Sequence, residues 1–183
     1  MTQRALIILH PGFEETEAVT PIDLLHRAEI EVVLASTADT LDVDSRCGLK
    51  VKAHARLEEV ADADYDLVFL PGGPGIQNIR RHPTVCAVLR KQAAAARWIG
   101  CICAAPLLLL DAGLSDGIEI ACHPSAESEL ARVRRDPVVV SGKIVTSRGA
   151  GTATQFGLAL VARLKSADTA REVADAICWP HPL

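Results

Sequence analysis

Short apolar runs alternate with amphipathic segments along most of the chain. Continuous apolar runs predict buried strands at residues 4–10, 29–36, 65–70 and 98–103, and a short strand at 118–123. Helical periodicity follows most of these runs and predicts helices in TEAVTPIDLLHRA, PTVCAVLRKQAAAARW, APLLLLDAGL, SAESELARV, TATQFGLALVARLK and TAREVADAIC. Strands that alternate with helices favour an α/β fold with a mostly parallel sheet and helices on both faces.

Two segments depart from this alternation. Residues 40–53 alternate apolar and polar positions, which predicts an antiparallel hairpin projecting from the sheet. The segment DPVVVSGKIVTS predicts a second hairpin that turns at Ser141 and Gly142. The helix SAESELARV is expected to begin with its serine as N-cap. In the first helix, the side chains expected to share the buried face are Ala18, Val19, Ile22 and Leu25.

Unusual residues cluster directly after the predicted strands. HPGFEETE follows the first strand, LPGGPG follows the strand at 65–70, CICAA ends the strand at 98–103, and CHP ends the strand at 118–123. Because sites in such sheets lie at the carboxyl ends of the strands, these four segments predict one common site. Cys103 falls at the turn into the next helix, where nearby N-terminal amides lower a thiol pKa.

Each of these features taken alone has a structural explanation. A cysteine is often a small buried apolar side chain, and a histidine at a strand end is often simply hydrogen-bonded. The pair Gly72 and Gly73 is typical of a turn. Glu14 and Glu15 suit a helix N-terminus, where acidic side chains interact favourably with the helix dipole. Their joint occurrence with Glu17, which the helical period turns toward the strand ends, indicates a site.

Composition narrows the classes of protein that the chain can belong to. Its 183 residues suit one domain spanning 1–183, and 49% of them are hydrophobic. The net charge of −4 gives no basic field for nucleic acid, and the cluster RVRRD is expected to be a surface turn. No apolar run reaches the length of a membrane span.

The six cysteines are expected to be reduced. The chain begins with MTQRALIILH, a polar start followed by a strand, so we expect no signal peptide and a cytoplasmic location. Cys101 and Cys103 make a poor metal site, and we expect one in the core and the other exposed. Phosphate loops of the GxGxxG or GxxxxGK type are absent from the sequence, so no metal, nucleotide or flavin cofactor is predicted.

The motifs EETEAV, LPGG, ICAAP and TSRGAGTA, in this order, resemble the ThiJ/PfpI superfamily and its branch of the parkinsonism-associated protein deglycase. The resemblance covers about residues 4 to 178. It implies a flavodoxin-like three-layer sandwich with the class I glutamine amidotransferase-like fold, and usually a homodimer. It also implies a cysteine at a strained strand-to-helix elbow, with an oxidisable thiolate of low pKa.

The resemblance also assigns roles to single residues. Cys103 matches the nucleophile, and Glu17 matches a neighbouring carboxylic acid that is protonated and donates to the sulfur. Sharing one proton is physically reasonable, because a second anion beside a thiolate is disfavoured. The backbone amides of Gly73 and Ala104 match an oxyanion hole.

Four further residues complete the predicted site. His123 matches a pocket histidine that can shuttle protons, and Arg46 matches an arginine that can hold an anionic sulfinate or a substrate carboxylate. Gly72 is expected to line the substrate-binding loop. His10 replaces a small residue of the relatives, and it is expected to be packed at a strand end, to narrow the pocket or to add a second base.

Departures from related branches exclude two activities. The proteolytic branch has a histidine directly after the cysteine, where this chain has Ala104, so a peptidase would lack its base. Glutaminase relatives carry a His-x-Glu pair late in the chain, and this sequence has no equivalent. Val51 stands where a relative has a second, peripheral cysteine.

The function predicted first is a cysteine-dependent glyoxalase or deglycase. Its substrates would be 2-oxoaldehydes such as methylglyoxal, or their adducts on proteins and nucleotides, and it would need no cofactor. The alternative is a non-enzymatic redox sensor or chaperone that uses oxidation of Cys103. A third hypothesis takes the fold as an interaction scaffold, since fold alone does not imply function.

Overall fold

The structure, a computed structural model, describes residues 2–180. Its strands are β1 (Arg4–Leu9), β2 (Glu31–Ser36), β3 (Asp42–Asp44), β4 (Lys50–Lys52), β5 (Ala55–Arg56), β6 (Leu67–Leu70), β7 (Trp98–Ile102), β8 (Ile120–Ala121), β9 (Val133–Arg134), β10 (Val138–Ser141) and β11 (Ile144–Ser147). Its α-helices are α1 (Glu15–Arg27), α2 (Leu57–Val60), α3 (Pro83–Ala94), α4 (Pro106–Asp111), α5 (Ala153–Leu164) and α6 (Ala167–Ala176). Short 3-10 helices span Pro74–Ile79, Pro124–Glu129 and Ala150–Thr152.

Seven strands form the central sheet in the order β10-β11-β7-β6-β1-β2-β5. All neighbouring pairs are parallel except β10 and β11, which are antiparallel. The main predicted strands are confirmed, with bounds that differ by at most two residues. Continuous apolar runs predicted these strands correctly because the central strands are covered by helices on both faces. In β1, for example, residues 5–9 are at most 1% exposed.

Two apolar clusters cover the two faces of the sheet, and together with the sheet they make three layers. One cluster joins side chains of α1, α5 and α6, including Leu24, Phe156 and Val173. The other joins side chains of α3 and α4, including Leu89 and Leu107. The predicted arrangement of helices on both faces is therefore confirmed.

The buried face of α1 differs from the predicted one. Val19 is 45% exposed and Ile22 is half-buried, whereas Pro21 and Leu24 are buried. The reason is the close approach of α5, since a Cβ on Gly157 would lie 2.6 Å from Cδ1 of Leu24. The helix thus turns Pro21 and Leu24 inward and leaves an apolar strip outside.

Both predicted hairpins are confirmed. Strands β3 and β4 pair antiparallel outside the central sheet, and an isolated bridge between Phe13 and Ser45 attaches the hairpin tip to the loop after β1. Strands β10 and β11 pair antiparallel with Ser141 opposite Ile144, so the turn lies at Gly142 and Lys143, one residue later than predicted. The first hairpin therefore brings the residues of its tip next to the loop that precedes α1.

Two predictions around residue 120 were wrong in detail. Strand β8 pairs with β9 in a separate two-stranded sheet rather than extending the central one. The predicted helix SAESELARV is the 3-10 helix Pro124–Glu129, and its N-cap is His123 rather than Ser125.

Among residues 2–180, no helix combines the length and the apolar character needed to cross a bilayer.

Candidate active site

Cys103 occupies a strained elbow between β7 and α4. Its φ of 65° lies in the left-handed region, which a residue with a side chain rarely adopts. Two hydrogen bonds hold its main chain in this conformation: its N–H donates to the Ser147 carbonyl and its carbonyl accepts from the His123 N–H, each at 2.9 Å. Cys101 is fully buried, as predicted for one of the two cysteines, whereas Cys103 is half-buried rather than exposed.

Glu17 lies in the first turn of α1, with only 1% of its surface exposed. Its carboxyl group hydrogen-bonds Cys103, accepts the Gly72 N–H at 3.0 Å on Oε2, and accepts the Ala150 N–H. Burial, together with the nearby Glu14 carboxylate, raises the pKa of Glu17 to about 7, while these three hydrogen bonds lower it. A substantial fraction of Glu17 is therefore protonated at neutral pH.

The Cys103 thiol and the Glu17 carboxyl are hydrogen-bonded to each other, so the protonation of one affects the pKa of the other. Burial, followed by the negative charge of Glu17, raises the pKa of Cys103 to about 12, whereas the amides of Gly73 and Ala104 donate to the sulfur and lower it. The low thiol pKa that the resemblance implies therefore does not follow from this environment while Glu17 is ionised. A thiolate forms here when the proton moves from the sulfur to the carboxylate.

The loop after β6 packs directly against the loop after β1. Gly73 has a φ of 109°, and a Cβ at this position would lie 2.5 Å from the Gly12 carbonyl oxygen. A Cβ on Gly72 would lie 2.6 Å from Cβ of Cys103. Gly72 is thus buried behind the Cys103–Glu17 pair, and its N–H donates to Glu17. The prediction that Gly72 lines the substrate site was wrong, because Gly72 is not among the residues that line the cleft.

A cleft with a volume of about 420 Å³ opens above the sulfur. Its lining residues are Glu14, Glu17, Arg46, Gly73, Pro74, Gln77, Cys103, Ala104, His123, Ser125 and Ala150. Six predicted site residues therefore meet in one place: Cys103, Glu17, His123, Gly73, Ala104 and Arg46. They come from five separate segments of the chain.

Arg46 and His123 come to the cleft from two segments that are far apart in the sequence. Arg46 lies at the tip of the β3–β4 hairpin, where its N–H donates to the Phe13 carbonyl at 2.8 Å. The ring of His123 accepts the Ser125 main-chain N–H on Nδ1 at 3.2 Å. The neutral ring therefore carries its proton on Nε2.

His10 does not line the cleft. It is fully buried between carbonyl groups of Pro11 and Pro71, each 3.3 Å from one ring nitrogen. Burial lowers its pKa, whereas the two carbonyls raise it. The structure therefore gives His10 no contact with a molecule in the cleft, because the two loops close over the ring.

Sequence reasoning missed five residues that line the cleft: Glu14, Pro74, Gln77, Ser125 and Ala150. Glu14 was interpreted as a helix cap, and its Oε2 does accept the Glu17 N–H at 2.7 Å, but its side chain also faces the cleft. The position of Ser125, two residues after His123, was the only local signal of its contact with that ring.

Within residues 2–180, no group of three or more His, Cys, Asp or Glu side chains is arranged to hold a metal ion.

A pair of ionic hydrogen bonds braces this region from outside the cleft. Arg80, directly after the 3-10 helix Pro74–Ile79, donates to both carboxylate oxygens of Asp111 at 2.6 and 2.8 Å. Asp111 ends α4, the helix that follows the elbow. The brace thus joins the segment after Gly73 to the segment after Cys103.

Comparisons with known proteins identify the family and the fold of the chain. The chain is 36% identical to the Parkinson disease protein 7 homolog of Danio rerio, over 93% of this chain and 94% of that protein. It is 30% identical to the glutathione-independent glyoxalase DJR-1.2 of Caenorhabditis elegans, over 95% of each. The solved structure of oxidized Toxoplasma gondii DJ-1 superposes with a TM-score of 0.95 at 33% identity, covering 98% of this chain and 100% of that one. The DJ-1/PfpI family model matches residues 3–163, and the chain therefore belongs to the DJ-1/PfpI family.

Proposed function

We propose that the protein is a cofactor-independent glyoxalase that converts a small 2-oxoaldehyde such as methylglyoxal into the corresponding hydroxy acid. The observation that carries the proposal is the buried, hydrogen-bonded pair of Cys103 and Glu17 at the floor of a small cleft. The named activity of the Caenorhabditis elegans relative supports it. Adducts of such aldehydes on proteins or nucleotides are a further class of substrate for the same chemistry.

The reaction begins with proton transfer from Cys103 to the Glu17 carboxylate. The sulfur then attacks the aldehyde carbon, a C–S bond forms, and the carbonyl oxygen becomes an alkoxide. The Gly73 and Ala104 amides, which donate to the sulfur in the free protein, are placed to stabilise that oxygen. Glu17 returns its proton to the alkoxide, which completes a hemithioacetal.

The second stage moves a hydrogen between adjacent carbons. Glu17, again a carboxylate, removes the proton from the carbon bound to sulfur, which gives an enediolate. Glu17 then returns this proton to the neighbouring carbon, and the hydroxyl proton moves from the oxygen of the first carbon to that of the second. The product is a thioester of the hydroxy acid. Water hydrolyses this thioester, which releases the acid and restores the Cys103 thiol, so the net reaction consumes one water. A pKa near 7 suits a group that must both take and give a proton.

The remaining cleft residues bind and orient the substrate. His123 presents its Nε2–H as a donor, because Nδ1 is engaged by Ser125. It therefore acts by hydrogen bonding to a substrate oxygen in this tautomer. Arg46 supplies the positive charge that favours an adjacent carboxylate or enediolate.

Lactate formation from methylglyoxal tests the proposal. We expect Cys103→Ser to abolish turnover and Glu17→Gln to lower kcat at least about 100-fold, because it cannot exchange a proton. Cys178→Ser, which changes an exposed cysteine two residues after α6, is the matched control and retains full activity. Native turnover in Cys103→Ser would overturn the proposal.

A redox sensor is the second candidate function. It is favoured by the same amide donors, because the Gly73 and Ala104 N–H groups that contact the sulfur also suit an anionic sulfinate. Mild peroxide followed by peptide mass spectrometry would then find oxidation at Cys103. Selective oxidation in a chain that shows no aldehyde turnover would favour the sensor over the glyoxalase.

A further inference from the structure

His10 bridges two backbone segments behind the cleft. Its Nδ1 contacts the carbonyl oxygen of the adjacent residue Pro11, which is a local contact. Its Nε2 contacts the carbonyl oxygen of Pro71, which is 61 residues away in the sequence. The second contact therefore joins the loop before α1 to the loop after β6.

The Pro71 carbonyl belongs to the same peptide group that holds the Glu17 carboxyl. The N–H of this peptide group is that of Gly72, and it donates to Oε2 of Glu17 at 3.0 Å. In a planar trans peptide the C=O and the N–H point in opposite directions. A hydrogen bond to the oxygen polarises the group and strengthens the bond that its N–H donates. His10 and Glu17 thus lie at the two ends of one hydrogen-bond relay.

Close packing holds each member of this relay in place. A Cβ on Gly75 would lie 2.6 Å from Nδ1 of His10 and 1.9 Å from the Pro11 carbonyl oxygen, so the ring fits only against a glycine. A Cβ on Gly72 would lie 2.7 Å from Oε2 of Glu17. The His10 ring therefore contacts the Pro71–Gly72 peptide group directly, and this peptide group contacts the Glu17 carboxyl directly.

We propose that His10 is a positioning residue for the Cys103–Glu17 pair, acting from its Nε2–H tautomer through the Pro71–Gly72 peptide group. A neutral imidazole has a single N–H, and only a proton on Nε2 makes the bond that joins the two loops. The effect of His10 on turnover rests on the glyoxalase function proposed above, whereas its effect on the Cys103 thiol does not.

Two amide variants separate the two ring nitrogens. A glutamine amide nitrogen reaches about as far as Nε2, whereas an asparagine amide nitrogen reaches about as far as Nδ1. We expect His10→Gln to keep kcat within about threefold of native, and His10→Asn and His10→Leu to lose about tenfold, the effect of one hydrogen bond. KM should change little, because His10 does not line the cleft.

The pH dependence of Cys103 alkylation by iodoacetamide provides a readout that needs no aldehyde turnover. The Gly72 N–H stabilises the Glu17 carboxylate, so weakening this bond raises the Glu17 pKa. We expect the midpoint of the alkylation profile to rise by about 0.5 pH units in His10→Asn and His10→Leu, and to stay in place in His10→Gln. The ionisable groups around Glu17 are unchanged in this series: Glu14 on its own helix, Cys103 at the elbow, and Arg46 and His123 in the cleft.

His26→Asn, at an exposed position near the end of α1, controls for the loss of a histidine. If His10→Asn and His10→Gln behave alike, or if His10→Leu matches the native chain in both measurements, the relay is overturned. If the native chain shows no turnover, the proposed function fails, and the alkylation profiles still decide the relay. If His10→Leu does not fold, the comparison of the two amides carries the test.

Discussion

Glu17 is a carboxylic acid whose surroundings replace water almost completely. Its neighbours are another carboxylate, a thiol and two backbone N–H groups. The N–H groups favour the ionised form and the burial favours the neutral form, and the balance places the pKa at about 7. One residue can therefore serve as acid and as base in the same turnover.

The raised pKa predicts how stability depends on pH. As the pH rises above about 4.5, the unfolded chain releases the Glu17 proton, whereas the folded chain keeps it until about pH 7. Folding stability is therefore lost across this interval, by about 3 kcal/mol. Urea unfolding of Glu17→Gln should lack this loss, so its unfolding free energy relative to native should increase between pH 4 and pH 7.

Glu172→Gln, an exposed position on α6, controls for the removal of one negative charge. The measurements compare the unfolding free energies of the three proteins at matched pH values. A constant difference between Glu17→Gln and native from pH 4 to pH 7 would contradict the raised pKa.

Residue identities at the site could be predicted because the chemistry is concentrated at strand ends. Cys103, Glu17 and Gly73 each follow a buried apolar strand, and such strands are identified by their hydrophobicity alone. The placement of His10 could not be predicted in the same way. A histidine after a strand can point into a cleft or behind it, and the packing of two loops from distant parts of the sequence decides which.

At the scale of elements, helices and strands were predicted correctly where the apolar pattern extends over many residues. The central strands and α5 were predicted because their apolar residues repeat over several turns or fill a buried strand. Strand β5 and helix α2 were not, because two and four residues respectively carry no period. The exposed strip of α1 was also missed, since amphipathicity does not show which apolar residues a neighbouring helix covers.

The contact between α1 and α5 depends on Gly157, because a glycine has no Cβ that would separate the two helices. A Cβ there would lie 2.6 Å from Cδ1 of Leu24 and 3.1 Å from Cα of Pro21, so Gly157→Ala must push the helices apart. Overpacking costs about 1–3 kcal/mol, and the better helix propensity of alanine returns about 1 kcal/mol. We expect a net loss of about 1 kcal/mol in urea unfolding with an unchanged slope.

Gly151→Ala is the control for this prediction, because a Cβ at that position meets nothing within 4 Å. It should not be destabilised. Equal stability of Gly157→Ala and the native chain would show that the two helices separate without cost.

At the scale of the whole molecule, the outward strip of α1 suggests self-association. Val19 is 45% exposed and Ile22 is half-buried, three residues apart on one face of the helix. We propose that this strip packs against a second copy of the chain, in line with the homodimer that the sequence resemblance implies.

Sedimentation equilibrium at micromolar concentration should give about twice the chain mass of 19.5 kDa. We expect Val19→Asp to shift the protein toward the monomer, because a buried unpaired charge is costly at an interface. Val140→Asp, on the edge strand β10 with 38% exposure, is the control and should leave the mass unchanged. A native protein that sediments only as a 19.5 kDa species would contradict the dimer.

The brace between Arg80 and Asp111 has a consequence for engineering the protein. It anchors the far end of the 3-10 helix Pro74–Ile79, while Gly73 anchors the near end against the loop after β1. Between these anchors, the exposed side chain of Gln77 lines the cleft. Both ends of this part of the cleft wall are thus held in place while the side chain of Gln77 is exposed. Under the proposed glyoxalase function, libraries at Gln77 therefore offer a route to altered substrate preference that leaves Cys103 and Glu17 in place.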